Sequence, residues 1–509
     1  MWAAPSSLTS RPNSNFAVSA RRFGASKHDV LRRDVLEVTP IGWILLPLGI
    51  ACFLFAPNGL YPLMVFFVPF SATAVVNIGS GDSASGVQAT IFFGALWMAR
   101  EFPKFFRARN SPIGQNLRQP STHLRWFLLV AILSLIMPIW INGHVYIDDP
   151  EFSNGFSNSE PLVFRLRNIT QIIYLLYGIL LAVLVAFRNS TLRQLLASVR
   201  IFLISAIFVS AWGFLQFFCS LLNVTYPAFI FNSSATGSAQ GYLDQLEDLG
   251  ITRVSSVATE PSTLAACLLV AFVLVLFSVT RDLTVISKRW DRFALVVIFG
   301  ALMISTSTTA YLGLAAVLVI YLAFLKHTNF LRRKHIVALV ALAAFIALTI
   351  ALFSPARDIF ISLVVSKGET YSGIARAYSV ALAAQYFLQY PILGLGWGSV
   401  TSHDLVFKLL SNTGLLGFSA FSFFLVSLLR RLWRGSRMAG TGNPEWQWWS
   451  ACLLGACLVL VFTNVTAGFD FVFEYLWFLL GLAMSVPLIH SLGRKQGPPD
   501  FLGQEAMAR

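Results

Sequence analysis

The chain has 509 residues, of which 56% are hydrophobic and 12% are charged, and its net charge is +14. About a quarter of the residues in an ordinary soluble protein are charged, so this composition excludes a soluble globular protein and indicates a polytopic membrane protein. The positive charge predicts basic loops on the cytoplasmic side of a membrane rather than a nucleic-acid partner.

Residues 1–40 are rich in serine and arginine and contain no apolar run, which predicts a basic cytoplasmic tail rather than a signal peptide. The apolar stretches that follow are close to the length of a bilayer-spanning helix, which is about 20 residues. Because lipid offers the backbone no hydrogen-bond partners, we expect these stretches to be helices. They are 41–56, 60–78, 85–99, 125–142, 168–187, 199–222, 262–280, 293–307, 310–325, 335–353, 413–429, 450–464 and 471–490.

The loop charges alternate in sign along the chain from residue 100 onward. Loops 143–167 and 223–261 are acidic, and the loops that flank them are basic. The positive-inside rule places the basic loops in the cytoplasm, which leaves 223–261 and 354–412 as two long outer loops and 491–509 as a cytoplasmic tail. The basic loops are 100–125, 188–200, 281–292, 326–335 and 430–449.

The first 99 residues do not fit this alternation. Three crossings there would put the basic tail and the basic 100–125 loop on opposite sides of the membrane. We therefore expect an even number, either because 85–99 does not span or because 41–78 contains one crossing fewer. The predicted fold is an all-α transmembrane domain, residues 41–490, with about 12 transmembrane helices and both termini cytoplasmic.

The five cysteines lie in or beside apolar segments, and none pairs within an outer loop. Neither a disulfide framework nor a thiolate metal site is indicated. No His/Glu spacing such as H-E-x-x-H occurs either, so we predict neither a metal nor a cofactor.

The stretch RVSSVATEPSTLAA, residues 253–266, is the first candidate site. Arg253 is the only cationic side chain in its loop, and Thr259 followed by Pro261 predicts a helix start capped by the threonine. Glu260 either complements the dipole of that helix or presents a carboxylate at the outer membrane face as a base or substrate anchor.

The second candidate is Arg376, within a predicted amphipathic helix at 372–390. Ser372 caps this helix and Pro391 stops it. Arg376 either lies on a solvated helix face or converges with an arginine of the other outer loop on an anion. The planar fork of arginine suits phosphate, so phosphate is the anion we expect.

The third candidate is the glycine-rich stretch with Gly394, Gly396 and Gly398. Such a loop can cradle phosphate, but no Walker lysine follows it and the outer face is poor in nucleotides, so a tight turn is the alternative. His403 follows closely. It is either structural or a group that positions a hydroxyl and transfers its proton.

Two weaker signals remain. STSTTAY, residues 305–311, predicts a hydroxyl-rich turn between two helices. Asp470 and Glu474 lie four residues apart at the outer end of the last span, where they could bind a cation or sugar, although solvation of a helix end is favoured.

Over residues 200–430 the chain resembles the bacterial O-antigen polymerase and O-antigen ligase superfamily. In that family a late outer loop carries an arginine helix, a proline, a Gly-x-Gly, a histidine usually followed by asparagine, and a Gly-x-x-Gly that opens the next span. The Glu260-Pro261-Ser262 element with Arg253 upstream looks like exopolysaccharide polymerases, whereas Asp404 departs from the usual asparagine. The matching residues are Arg376, Pro391, Gly394-Leu395-Gly396, His403 and Gly414-Leu415-Leu416-Gly417.

This resemblance implies a metal-independent glycosyltransferase with a GT-C-like fold in the bacterial inner (plasma) membrane. Its substrates would be polyprenyl-diphosphate-linked glycans, and its partners would be membrane lipids and a chain-length-regulating membrane protein, with no nucleic acid. Arg253 and Arg376 would bind the diphosphate. Glu260 and His403 would be catalytic, and the three glycines would shape the loop.

A polysaccharide polymerase is the first hypothesis. An O-antigen ligase, which transfers the glycan to a lipid A core sugar, or a protein O-oligosaccharyltransferase is the second. A transporter of polysaccharide or lipid-linked sugar is the third, but it would carry ionisable residues at mid-membrane, whereas the polar residues here cluster in outer loops.

Overall fold

The computed structural model describes residues 36–79, 85–148, 159–235, 253–281, 283–327, 361, 368, 371–437, 444–466, 468 and 471–496. Within these ranges the chain is mainly α-helical, which confirms the helical part of the predicted fold class. The predicted stretch 335–353 and the extreme termini lie outside the described residues.

The elements of the first 148 residues include a small sheet that the sequence did not predict. They are β1 (Leu36–Val38), α1 (Gly42–Phe55), α2 (Leu60–Phe67), β2 (Ala74–Ile78), β3 (Ser85–Gln88), α3 (Ala89–Arg107), α4 (Pro112–Ser134), α5 (Ile136–Ile141) and β4 (Tyr146–Asp148).

The remaining elements are longer helices and one further strand. They are β5 (Ser159–Pro161), α6 (Leu166–Arg188), α7 (Leu192–Leu221), α8 (Ala228–Phe231), α9 (Pro261–Thr280), α10 (Lys288–Ile304), α11 (Thr308–His327), α12 (Tyr371–Gln389), α13 (Leu405–Arg437), α14 (Pro444–Thr466) and α15 (Glu474–Gln496).

Among the described residues, 7 helical segments are long and apolar enough to cross a membrane, and two shorter apolar helices, Gly42–Phe55 and Glu474–Ile489, accompany them. These segments confirm a multi-pass membrane protein. The total of about 12 spans stays a prediction. The 7 segments are Pro112–Ile141, Leu166–Arg188, Leu192–Leu221, Pro261–Thr280, Thr308–Lys326, Leu405–Arg437 and Glu445–Thr466.

The predicted span at 60–78 is wrong as a continuous helix. Its helical part, α2, has 8 residues and is therefore about 12 Å long, too short for a bilayer core of about 30 Å. The segment continues as β2, whose Val75 and Val76 favour extended backbone, and β2 forms the middle of an antiparallel sheet in the order β1-β2-β3. Because β1 pairs with β2, the segment between them returns to the end of the bundle at which it started, and the number of crossings in the first 99 residues stays a prediction.

This sheet also fixes the end of the bundle at which the chain enters. In the register of β1 and β2, Glu37 lies opposite Asn77, and the Asn77 amide donates a hydrogen bond of 3.0 Å to the carbonyl of Ser233, in the loop after α7. The sheet thus lies beside the predicted outer loop 223–261. The basic residues that follow α3 lie at the other end of that 19-residue helix.

Residues 36–38, at the end of the predicted cytoplasmic tail, form β1, and the pairing of β1 with β2 puts them at the end of the bundle that carries the loop after α7. The side of the membrane on which the tail lies stays a prediction.

The helices at the centre of the bundle pack closely through small residues and large aromatic rings. Gly178 of α6 faces Trp477 of α15, and a side chain at Gly178 would overlap the indole ring. Phe127 of α4 packs against Phe421 of α13 and Phe471, with ring centroids 5.1 Å and 5.8 Å away. Trp397 of the glycine-rich stretch packs against this cluster, with ring centroids 5.7 Å from Phe127 and 5.1 Å from Phe471.

Candidate active site

Arg253 lies in a buried loop that leads into α9. The backbone N–H groups of Ser255 and Ser256 both donate to the side-chain oxygen of Gln216 on α7, at 3.1 Å and 2.7 Å. The hydroxyl of Ser256 donates in turn to the carbonyl of Val209 at 2.7 Å. Arg253, at the head of this loop, is only 5% exposed. Gln216 was missed in the sequence because an isolated glutamine in an apolar helix gives no pattern.

Glu260 begins α9 in a way that differs from the prediction. Glu260, not Thr259, is the residue immediately before the helix, and Pro261 occupies the first helical position. The Glu260 side chain makes no capping hydrogen bond to the backbone of its own helix. Its carboxylate instead accepts a hydrogen bond of 2.7 Å from the Ser262 hydroxyl. The carboxylate is therefore half-buried at the helix start without being used to cap it.

The structure brings Arg253, Arg376 and Glu260 into one electrostatic neighbourhood. Burial and, to a lesser extent, the nearby positive charge of Arg376 lower the pKa of Arg253 to about 10, although Glu260 and Tyr311 offset part of the effect. The charge of Arg376 therefore acts on Arg253, and the convergence of the two arginines on an anion stays a prediction.

Tyr311 is a member of this neighbourhood that the sequence analysis did not single out by itself. It lies in the first turn of α11, just after the hydroxyl-rich stretch, and its hydroxyl donates to the carbonyl of Met303 at 3.1 Å. The stretch itself is the predicted turn between two helices, with Thr306 in the left-handed region at φ 47°. Tyr311 could have been found from the sequence, because it is the last residue of this hydroxyl-rich stretch.

His403 is fastened to the helix that carries Arg376. The Ser379 hydroxyl lies 3.0 Å from Nδ1 of His403 and accepts the His403 backbone N–H at 3.2 Å. It also donates to the carbonyl of Arg376 at 2.9 Å. The Ser379 hydroxyl has one proton, which it donates to the Arg376 carbonyl, so its oxygen must accept a hydrogen bond from Nδ1–H of His403. We therefore assign the tautomer in which Nδ1 carries the proton and Nε2 carries the lone pair. The Cδ2 side of the ring faces Gly468.

The glycine-rich stretch is a folded turn and not a phosphate cradle. Gly394, Gly396 and Gly398 have φ values of 65°, 100° and 79°, which side chains rarely adopt. The N–H groups of Leu395 and Gly396 donate to the carbonyls of Ser411 and Asn412, at 2.8 Å and 3.1 Å. These donors are therefore used inside the protein, and the turn interpretation is confirmed.

Asn412 is a structural residue that the sequence analysis missed. Its side-chain oxygen accepts the N–H groups of Ser399 and Val400, both at 3.1 Å, and its amide donates to the carbonyl of Val400 at 2.9 Å. Two residues later Gly414 interrupts α13 with φ 62° and ψ −165°. A side chain there would overlap the carbonyl of Ile392. The turn and the start of α13 therefore interlock.

Asp404, the departure from the family pattern, is the residue immediately before α13. Its carboxylate accepts the N–H of Phe407 at 2.6 Å, as an N-capping side chain does. Burial raises the pKa of Asp404, and the hydrogen bonds from the N–H groups of Phe407 and Val406 oppose that rise. Asparagine and aspartate are equally good N-caps, so either residue serves this position.

Asp470 and Glu474, near the start of the last helix, are not part of the neighbourhood of Arg253 and Arg376 in the described part of the chain. Asp470 itself lies outside the described residues. Glu474 is 2% exposed and lies close enough to Tyr177 of α6 for its charge to act on that side chain. The interpretation of Glu474 as a solvated helix end is therefore wrong, because α6 and α15 pack over it.

No group of three or more His, Cys, Asp or Glu side chains within the described part of the chain could hold a metal ion. A reaction without metal or cofactor stays a prediction. No family model matches the chain, and no curated protein matches it. The resemblance to the polymerase and ligase superfamily therefore depends on the motif residues alone.

Proposed function

We propose that the protein is a glycosyltransferase that polymerises polyprenyl-diphosphate-linked oligosaccharide repeats into exopolysaccharide or O-antigen. The reaction takes place at the outer face of the bacterial inner membrane. The observation that carries the proposal is the burial of Arg253 beside Glu260, with the positive charge of Arg376 near enough to lower the pKa of Arg253.

A buried guanidinium with a second guanidinium near it requires a reason, because like charges in a place of low solvation are unfavourable. A bound anion removes the conflict. A diphosphate offers several oxygens to two planar forks, and each fork forms paired charge-assisted hydrogen bonds with such oxygens. Since the negative charge on the diphosphate grows as the sugar leaves, the arginines stabilise the transition state more than the ground state.

The proposed chemical step is transfer of the growing glycan to the next repeat. The acceptor hydroxyl oxygen forms a bond to the anomeric carbon of the donor, and the bond from that carbon to the diphosphate oxygen breaks. The electron pair leaves with the polyprenyl diphosphate. The hydroxyl proton passes to the Glu260 carboxylate or to Nε2 of His403, the two proton-accepting groups of the candidate site.

The membrane arrangement that fits this proposal has about 12 spans, with the basic loops and the C-terminus in the cytoplasm. Strand β1, the loop with Arg253 and the start of α13 then lie at the outer face. This arrangement places the charged candidate residues in loops and helix starts. A transporter would instead carry them at mid-membrane, so the arrangement supports an enzyme.

Transfer to a lipid A core sugar or to a protein hydroxyl would use the same chemistry. An in vitro reaction with lipid-linked repeats as the only acceptor distinguishes these activities. Lengthened lipid-linked chains identify a polymerase, whereas a ligase or protein transferase leaves the repeats unchanged until its own acceptor is added.

The experiment in cells is replacement of the gene by an Arg376→Ala variant, followed by analysis of the surface glycan. We expect polymer to be absent while single repeats accumulate, with protein level and membrane insertion unchanged. The matched control is Arg118→Ala, because Arg118 is an exposed arginine at the start of α4, at the other end of the bundle. Polymer of normal chain length in Arg376→Ala cells would contradict the anion site.

A further inference from the structure

We propose that a cavity next to His403 is a sugar-binding subsite. It holds the sugar ring that is next, within the same glycan, to the ring whose anomeric carbon reacts. The cavity lies between the hairpin β4–β5, the first turn of α6 and the glycine-rich turn. This inference deepens the proposed function and depends on it for the identity of the glycan.

The cavity has a volume of about 150 Å³ and is lined mainly by hydrogen-bonding side chains. Pockets for drug-sized ligands have volumes of about 300–1,000 Å³, so this cavity suits a single sugar ring. Its polar lining residues are Asp148, Glu160, Arg165, Arg167, Asn168, Ser399 and Thr401.

The charges of the lining are balanced, which distinguishes this cavity from the arginine neighbourhood. The guanidinium of Arg165 pairs with the carboxylate of Glu160. The guanidinium of Arg167 donates to the Thr401 hydroxyl at 3.0 Å, and Asp148 contributes the second carboxylate. Two cations and two carboxylates leave no excess of positive charge for a diphosphate to neutralise.

A neutral, hydroxyl-rich ligand fits this mixed lining. Sugar hydroxyls both donate and accept, so they can pair with carboxylate oxygens, guanidinium N–H groups and the hydroxyls of Ser399 and Thr401. Asn168 fixes one wall, because its amide donates to the Ser399 hydroxyl at 3.1 Å and to the carbonyl of Trp397 at 2.8 Å. The hydrogen-bonding groups are therefore held in position before a ligand arrives.

The cavity and His403 share a wall. Thr401 lines the cavity, and His403 is two residues further along the same segment, at most about 7 Å away along the backbone. On the opposite wall, Asp148 accepts a hydrogen bond of 3.3 Å from the hydroxyl of Tyr378, the neighbour of Ser379 in α12. The helix that holds His403 and Arg376 thus also holds the cavity, and a glycan at His403 can extend into it.

The test uses the full-length protein in nanodiscs, with lipid-linked repeats purified from a strain that lacks the gene. We expect Arg167→Gln and Thr401→Val each to raise KM for the lipid-linked repeat about tenfold, because each removes a side chain that can hydrogen-bond to the glycan, while kcat changes little. Arg118→Gln is the matched control, and a normal melting temperature verifies folding of every variant. Unchanged KM in both cavity variants, with wild-type transfer intact, would overturn the subsite and leave the proposed function standing.

A binding measurement separates the two proposals. The oligosaccharide released from the lipid carrier should show saturation-transfer NMR signals with the wild type, and these signals should fall in Arg167→Gln. Binding that depends on Arg167, in a protein that transfers no lipid-linked repeat, would support the sugar subsite and overturn the polymerase. Inorganic pyrophosphate should bind Arg167→Gln as it binds the wild type. Loss of pyrophosphate binding in that variant would show an anion site and overturn the sugar subsite.

Discussion

The burial of Arg253 near the charge of Arg376 leads to a quantitative prediction about Arg253→Gln. The fall in the pKa of Arg253 from its ordinary value to about 10 corresponds to about 3 kcal/mol of free energy that the buried cation costs the folded protein. The folded-state pKa lies below that of the unfolded chain, so the penalty is fully present at pH 7. It disappears only as the pH rises above about 10.

Replacement by glutamine removes the charge and retains a polar side chain. We therefore expect the empty Arg253→Gln protein to melt at the wild-type temperature or a few degrees above it, with a gain of at most about 3 kcal/mol. Glycosyl transfer should fall by about 100-fold or more, the usual effect of losing one donor to a developing negative charge. Stability and activity should thus change in opposite directions, as they do for a strained functional site.

The measurement is thermal unfolding of the purified protein at pH 7, monitored by tryptophan fluorescence, with and without inorganic pyrophosphate. Pyrophosphate should raise the melting temperature of the wild type and have less effect on Arg253→Gln. Glu260→Gln is the matched control, because loss of the compensating carboxylate should lower the melting temperature. A clear fall for Arg253→Gln together with no response of the wild type to pyrophosphate would refute the reasoning.

Three further predictions concern the surroundings of the site. Gly414→Ala should cost about 1–3 kcal/mol and reduce the yield of folded protein, whereas Gly368→Ala, with no heavy atom within 4 Å of the added carbon, should be neutral in the same expression assay. Asp404→Asn should keep the cap and melt at or above the wild-type temperature at pH 7. Because the folded-state pKa of Asp404 is raised, the wild type loses stability as the pH rises through that pKa. The difference in melting temperature between Asp404→Asn and the wild type should therefore vanish in acid. A lower melting temperature of Asp404→Asn at pH 7 would contradict this prediction. Leu36 is 57% exposed at the proposed outer face. In a background without native cysteines, Leu36→Cys should therefore react with an impermeant thiol reagent in intact spheroplasts, whereas Gln115→Cys should react only after permeabilisation. The reverse pattern would invert the topology.

The sequence predicted the residues whose chemistry is unusual for their place in the chain. Arg253 and Arg376 are rare cations in outer loops, and His403 follows a run of glycines, so each could be identified without a structure. The residues that position them could not be identified from the sequence. Gln216 and Ser379 act through partners that lie 24 to 40 residues away, and only the folded chain shows those distances.

The errors in the predicted fold have a related cause. Hydropathy reports burial and not backbone conformation, so the apolar run at 60–78 could not be separated into a short helix and a strand. Charge grouped residues 36–40 with the basic loops, whereas strand pairing puts residues 36–38 at the end of the bundle that carries the loop after α7. Glu474 was assigned to solvent because its packing against α6 is a contact between distant segments.

The break in α13 at Gly414 couples the site to the membrane-spanning part of the helix. The turn before it is tied to α4 by a hydrogen bond from the Trp397 N–H to the Ser134 hydroxyl, and to α12 through His403. Just after the break, the N–H groups of Leu415 and Leu416 donate to the carbonyls of Pro391 and Ile392 in the same turn, at 2.8 Å and 3.4 Å. The remainder of the helix is long and apolar enough to cross the bilayer, and a spanning helix tilts when the bilayer changes thickness. These hydrogen bonds should pass such a tilt to the turn, so glycosyl transfer should differ between thick and thin membranes.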